Sequence, residues 1–217
     1  MAKNTTICFT GHRAKGLCGY DINSYQGFVM ALANKLRSFY NGSQLTFISG
    51  GAQGFDQLAF WAVDLVKKTL TENEKNNIKN IVYVPFKGQE SRWLDKGLFS
   101  KTDYKNMLNA ADEVKYLQDR IPDSTRLVGA LMDRNHKMVD ASDKVIALYE
   151  DDNWDTASGG TSECMRYANA HGKSIMQIKY TTDHHTLAFD EKDITIISAN
   201  NTPRQRTVQH EEQGFEI

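Results

Sequence analysis

Ile48-Ser49-Gly50-Gly51-Ala52-Gln53-Gly54-Phe55-Asp56 is the stretch on which the fold turns. An apolar run over residues 45–48 stops at three glycines. A helical pattern follows, with Leu58, Ala59, Ala62, Val63, Val66 and Leu70 on one stripe. A strand, a glycine turn and a helix in that order aim backbone N–H groups and a positive helix end at one point, which suits a phosphate. The plainer alternative is that the glycines only permit a tight turn.

The same alternation extends to both sides. Residues 6–10 are β-branched and aromatic and predict a buried first strand, which ends in Gly11-His12-Arg13. Apolar positions recur at helical spacing over residues 22–40, and Asn41-Gly42 closes that helix. Residues 71–79 are polar and predict a surface connection. Residues 81–84 predict a third strand, stopped by Pro85. Residues 87–101 predict a long loop with one helical turn, 102–111 a helix and 113–117 a fourth strand. Ser124 suits the cap of a helix that places Leu127, Val128, Leu131, Met132, Met138 and Val139 inside. Residues 144–149 predict a fifth strand. Gly159-Gly160-Thr161 then opens a helix to about residue 170, and 174–178 form a sixth strand. Past residue 180 the pattern fades to one edge strand over 194–198 and a polar tail. Strands alternating with helices specify α/β architecture: a Rossmann-like three-layer α/β/α domain over residues 1–180 with a mostly parallel central sheet.

Composition narrows the function classes. A net charge of −1 argues against a protein that coats nucleic acid electrostatically. No apolar run reaches membrane-spanning length, and residues 1–6 lead into a stretch too short for a signal-peptide core. Cys8, Cys18 and Cys164 are odd in number and widely spaced, so neither a disulfide framework nor a metal site is expected, and a cytoplasmic setting is the simplest. No cofactor is implied.

In a parallel sheet, ligands bind beyond the carboxyl ends of the strands. Gly11-His12-Arg13, Ser49 to Asp56, Pro85-Phe86 and the loop to Gly159-Gly160-Thr161 all fall there. Ser49-x-Gly51-x-x-Gly54 is a dinucleotide fingerprint with serine at the first glycine, but the next strand ends in Pro85-Phe86 instead of the ribose-binding acid, which disfavours ordinary NAD binding. Arg13 suits bidentate phosphate contact, and His12 an acid, a base or a simple hydrogen-bonding group. Asp56, in the first helical turn, suits a sugar hydroxyl or a loop amide. The amides of Gly159, Gly160, Thr161 and Ser162 form a second helix N-terminus facing the same crevice. Glu163, one turn in, is either a ribose-binding or general-base carboxylate or a residue that serves the helix dipole. Trp93 and Tyr104 either stack on a base or pin the loop to the core.

These pieces together resemble the YpsA-like branch of the SLOG superfamily, the Rossmann-like group that includes DprA/SMF and the LOG phosphoribohydrolases. The resemblance rests on Phe9-Thr10-Gly11-His12-Arg13, Ser49-Gly50-Gly51-Ala52-x-Gly54-x-Asp56, Pro85-Phe86, Trp93, Tyr104, Ala111-Asp112, Arg134-Asn135-x-x-Met138-Val139-Asp140, and Gly159-Gly160-Thr161 followed by Tyr167-Ala168, in that order over residues 6–178. It implies a nucleotide-type ligand in the glycine-lined crevice and adds Asn135 and Pro85 to its walls. LOG enzymes cleave the N-glycosidic bond of nucleoside monophosphates with an arginine and a glutamate. The resemblance puts Arg134 and Glu163 in those catalytic places. The glycine turn departs from the LOG pattern, however. Glu163 follows the threonine by two residues instead of three, which turns a helical side chain by about 100°.

The leading expectation is therefore a sensor or sequestering protein for a nucleotide-derived ligand, such as an ADP-ribose relative or a cyclic nucleotide. A phosphoribohydrolase-like N-glycosidase is the second expectation, and single-stranded DNA binding, disfavoured by charge, is the third. A homodimer would use the helix over residues 124–139.

Overall fold

The computed structural model describes residues 4–183 and 185–199. In chain order its elements are β1 (Thr5–Gly11), α1 (Gln26–Ser38), β2 (Leu45–Ser49), α2 (Phe55–Lys68), the single turn α3 (Glu72–Lys75), β3 (Ile78–Val84), α4 (Lys101–Ala110), β4 (Glu113–Tyr116), α5 (Leu127–Asp140), β5 (Lys144–Leu148), α6 (Gly160–Ala170), β6 (Ser174–Ile178), β7 (Thr181–Asp183), β8 (Thr186–Ala188) and β9 (Ile194–Ile197). The main sheet runs β4-β3-β2-β1-β5-β6-β9, parallel throughout except for β9, which pairs antiparallel to β6. This is the α/β, mostly parallel, three-layer architecture that the strand–helix alternation predicts.

The period-two alternation of β1 creates the layers. Ile7 and Phe9 are buried with Phe28 and Leu32 of α1 and Phe55, Leu58 and Ala62 of α2. Cys8 points the other way, among Met138 and Val139 of α5 and Cys164, Met165 and Ala168 of α6. On the first face α4 adds Tyr104 and Met107, packed on Val82, Val84 and Phe60. Each fully buried aromatic or aliphatic side chain contributes about 1.5–3 kcal/mol, so both faces of the sheet are well held.

The winding positions the site. From β1 the chain steps outward through β2, β3 and β4, crosses back in α5, and steps the other way through β5 and β6. The order reverses between β1 and β5, and a crevice opens at their carboxyl ends, as it does in doubly wound sheets.

Several elements depart from the expected boundaries. β3 begins at Ile78, three residues early, because buried Asn80 satisfies its amide on the Phe60 carbonyl at 3.0 Å and so passes as a polar loop residue in sequence. The expected surface connection contains α3, held by a Thr71–Glu74 capping box. The helix expected from residue 22 starts with a 3-10 turn capped by Asp21, and α1 follows. The 87–101 loop holds two 3-10 turns, Gln89–Arg92 and Gly97–Phe99. The β7–β8 hairpin carries no sequence signal of its own. β9 matches the expected edge strand, and the polar tail beyond residue 199 lies outside the described residues.

The buried acids of the core make a pH prediction. Burial pushes the Cys8 thiol from its ordinary 9.0 up to about 12, and it also raises Cys164, Tyr25 and Tyr104. Between about pH 9 and 12 the folded chain therefore binds more protons than the unfolded one, and stability falls as pH rises. The urea midpoint should be lower at pH 10 than at pH 7; an unchanged midpoint would contradict this.

Candidate functional site

Two strand ends meet first. Gly54 opens α2 with φ 109°, and a Cβ there would lie 2.5 Å from the His12 carbonyl oxygen. The absence of a side chain lets the loop after β2 close against the loop after β1. The Phe55 amide donates to the His12 carbonyl at 3.1 Å, and the Ala14 amide donates to the Gln53 carbonyl at 3.3 Å. Gln53 also donates to the carbonyls of Leu94 and Phe99, at 2.9 and 2.7 Å, fastening the 87–101 loop to the same corner.

Behind this corner lies a buried ion pair. Arg134 of α5 places Nη1 3.2 Å from Asp56 Oδ2, and both side chains are less than a tenth exposed. The same Asp56 oxygen accepts the Ala52 amide at 3.2 Å. Gly50 is required here, because a Cβ would sit 1.3 Å from Arg134 Nη1. The pair leaves Arg134 Nε buried without an acceptor.

The opposite wall comes from the first turn of α6. Gly160 and Thr161 carry amides that have no intrahelical acceptor, at the positive end of the helix. Between the walls lies a cavity of about 410 Å³ lined by Thr10, Gly11, His12, Arg13, Gly16, Ala52, Gln53, Asp56, Val128, Leu131, Met132, Arg134, Asn135, Gly160 and Thr161. That volume is ordinary for a small-molecule site.

Arg13 is exposed at this crevice, and its side chain makes no hydrogen bond or ion pair among the described residues. Although much of its side chain is open to water, the concave surroundings desolvate it. That effect comes first and the Arg134 charge second in holding its pKa below the ordinary arginine value, and it stays cationic. His12 stacks on Tyr149 at 5.3 Å, and its Nε2 lies 2.6 Å from Glu150 Oε2. This is a close contact without hydrogen-bond alignment. Among the residues that line the cavity, with His12 counted neutral, Arg13, Arg134 and Asp56 sum to one net positive charge, which suits an anion.

The expected site residues therefore divide. Gly11, His12, Arg13, Ala52, Asp56, Arg134, Asn135, Gly160 and Thr161 line one cavity. Ser49, Gly50, Gly51, Gly54 and Pro85 shape the turns behind it and do not line it. Gly159 precedes the α6 turn with φ 128°, and the Ser162 hydroxyl donates to the carbonyls of Gly159 and Ala157 at 3.0 and 3.1 Å. Glu163 turns to α5, where its Oε1 lies 2.9 Å from His136 Nε2, and it does not line the cavity. Trp93 packs edge-on against Tyr104 at 4.9 Å, and the Tyr104 hydroxyl accepts from Gln89 Nε2 at 2.7 Å, so both pin the loop to the core. The acidic loop after β5 is also anchored. Arg166 donates to the carbonyls of Trp154 and Ala157, and Gln177 to those of Tyr149 and Asp151.

Three lining residues correct an expectation. Val128, Leu131 and Met132 fit the helical apolar period and read as core, yet Val128 is 68% exposed and all three line the cavity. Periodicity shows which face of a helix is apolar but not what covers it. Among the described residues no helix is long and apolar enough to cross a membrane.

Comparison with known proteins fits this geometry. A family model described as the YspA SLOG family matches residues 7–183. The uncharacterised SPbeta prophage-derived protein YoqJ of Bacillus subtilis is 36% identical over 129 residues, which are 56% of this chain and 68% of that protein. DNA processing protein A of Streptococcus pneumoniae shares the fold, with a TM-score of 0.50 at 13% identity over 83% of this chain; the chain spans 52% of that protein. DNA processing protein A of Helicobacter pylori, described for its single-stranded DNA binding, gives a TM-score of 0.47 at 20% identity over 82% of this chain and 67% of that one.

Proposed function

This chain belongs to the YspA SLOG family, and from that premise we propose that its β1–β5 crevice binds a nucleotide or nucleotide-derived anion, such as an ADP-ribose relative, as a sensor or a sequestering protein. The observation that carries the proposal is Arg13, a cation whose side chain has no partner among the described residues, at the mouth of a cavity whose far wall is a helix N-terminus. Arg134, which lines the same cavity, adds a second guanidinium.

Binding is favoured over N-glycoside hydrolysis by the carboxylates. Among the described residues Asp56 is the one carboxylate that lines the cavity, and its Oδ2 already takes both Arg134 Nη1 and the Ala52 amide. Glu163 places Oε1 against His136 and does not line the cavity. A general base must lie within hydrogen-bond reach of the proton it takes, which Glu163, outside the cavity lining, does not.

A thermal-shift panel of nucleoside mono- and diphosphates, ADP-ribose and cyclic nucleotides tests the proposal. A ligand at 100 times its Kd adds about 2.7 kcal/mol of stability. Arg13→Ala should weaken that ligand tenfold to a hundredfold, the loss of one charged contact, while shifting the unliganded protein by no more than about 0.5 kcal/mol. The panel includes a single-stranded oligonucleotide, because a neighbour of this fold binds one. Stabilisation by the oligonucleotide alone would replace the nucleotide reading.

A further inference from the structure

Helix α5 presents two stripes. Ala130, Arg134 and Met138, spaced four apart, are buried against the sheet. Val128, Leu131, Met132 and Asn135, at i, i+3, i+4 and i+7, form the neighbouring stripe and face the cavity. The first three have no polar atom in their side chains apart from the weakly accepting Met132 sulfur. Leu131 and Met132 are half-buried, and Val128 is open. An apolar wall left facing an anion-binding cavity marks a place for the apolar part of a ligand.

Resting on the nucleotide reading above, we infer that Val128, Leu131 and Met132 form the platform for the base, and that the ligand lies along α5 with its phosphate end toward Asn135. The orientation follows from where the polar groups stand. A Cβ on Gly160 would sit 4.0 Å from Asn135 Nδ2, so the polar end of the stripe abuts the first turn of α6. Val128 lies about 10 Å further up the helix axis from Asn135. An anion held by Arg13 and the Gly160 and Thr161 amides then leaves its organic part to run toward Leu131, Met132 and Val128. The platform holds the base by face contact with aliphatic groups and lacks strong donors and acceptors for its edge, so it distinguishes a base from no base far better than one base from another. Trp93 and Tyr104, packed on each other in the core, leave this role open.

The test compares AMP, CMP and ribose 5-phosphate by titration calorimetry on the wild type, Leu131→Ser/Met132→Ser and Arg13→Ala. The wild type should bind both nucleotides at least about tenfold more tightly than ribose 5-phosphate. Leu131→Ser/Met132→Ser should erase most of that difference and leave ribose 5-phosphate affinity unchanged. Arg13→Ala should weaken all three ligands alike. Equal wild-type affinity for nucleotide and ribose 5-phosphate overturns the platform while leaving the anion site standing, and so does a double variant that weakens all three ligands equally. Failure of all three, and of the diphosphates, ADP-ribose and cyclic nucleotides of the panel, to bind the wild type overturns the nucleotide reading, and the platform with it. Leu131→Ala/Met132→Ala serves as the second variant if the serine pair does not fold.

Discussion

Asp56→Ala should cost about 3–5 kcal/mol of folding stability, the largest loss expected from any single truncation in the site. The cause is what remains behind. Arg134 is only 4% exposed, its Nε already lacks an acceptor, and Asp56 is its one counter-charge among the described residues. Removing the carboxylate strands a guanidinium in the interior and also frees the Ala52 amide, which Asp56 holds at 3.2 Å. A buried pair is costly to break and much less costly to replace as a unit. Asp56→Ala/Arg134→Met should therefore recover a substantial part of the loss, and a double-mutant cycle in urea should give a coupling of more than about 1 kcal/mol. Simple additivity of the two single changes would show that the pair does not hold the corner together.

Gly54→Ala should be nearly as damaging, at about 3 kcal/mol or more, for a different reason. The position has φ 109°, which side-chain-bearing residues adopt only under strain. The added methyl would lie 2.5 Å from the His12 carbonyl oxygen and 2.6 Å from the Ala14 amide nitrogen. Both are backbone atoms, so the conflict cannot be relieved by a rotamer change. Relief requires the β1 and β2 loops to separate, which breaks the Phe55–His12 hydrogen bond and moves Arg13. Gly54→Ala should therefore lose ligand affinity as well as stability, whereas Gly129→Ala, on the open side of α5 with nothing within 4 Å, should lose neither. A Gly54→Ala protein with an unchanged urea midpoint would contradict the close approach of the two loops.

The architecture is legible in sequence because the inner strands of the parallel sheet, β1, β2, β3, β5 and β6, are buried on both faces and read as apolar runs between turn residues. Ile7 to Phe9, Phe47-Ile48 and Val145 to Leu148 all carry that signal. The glycine turns at residues 50–54 and 159–160 are legible for the same local reason. The tertiary pairings are not. Asp56 and Arg134 are 78 residues apart, and nothing in either one's neighbourhood announces the other. Glu163 sits in the first turn of α6 as expected, but its direction is set by His136 across the α5–α6 contact. The apolar stripe at Val128, Leu131 and Met132 has the period of a core face, and only the winding of the chain at β1 and β5 leaves it facing a cavity.

The central claim is that the crevice between β1 and β5 receives a nucleotide-type anion. Amide chemical-shift mapping on labelled protein, titrated with the nucleotide that stabilises it most, tests the claim directly. The account predicts saturable shifts concentrated at residues 11–13, 52–54, 131–135 and 160–161, and their loss in Arg13→Ala. Shifts concentrated elsewhere, or an unperturbed spectrum with every nucleotide tried, would contradict it.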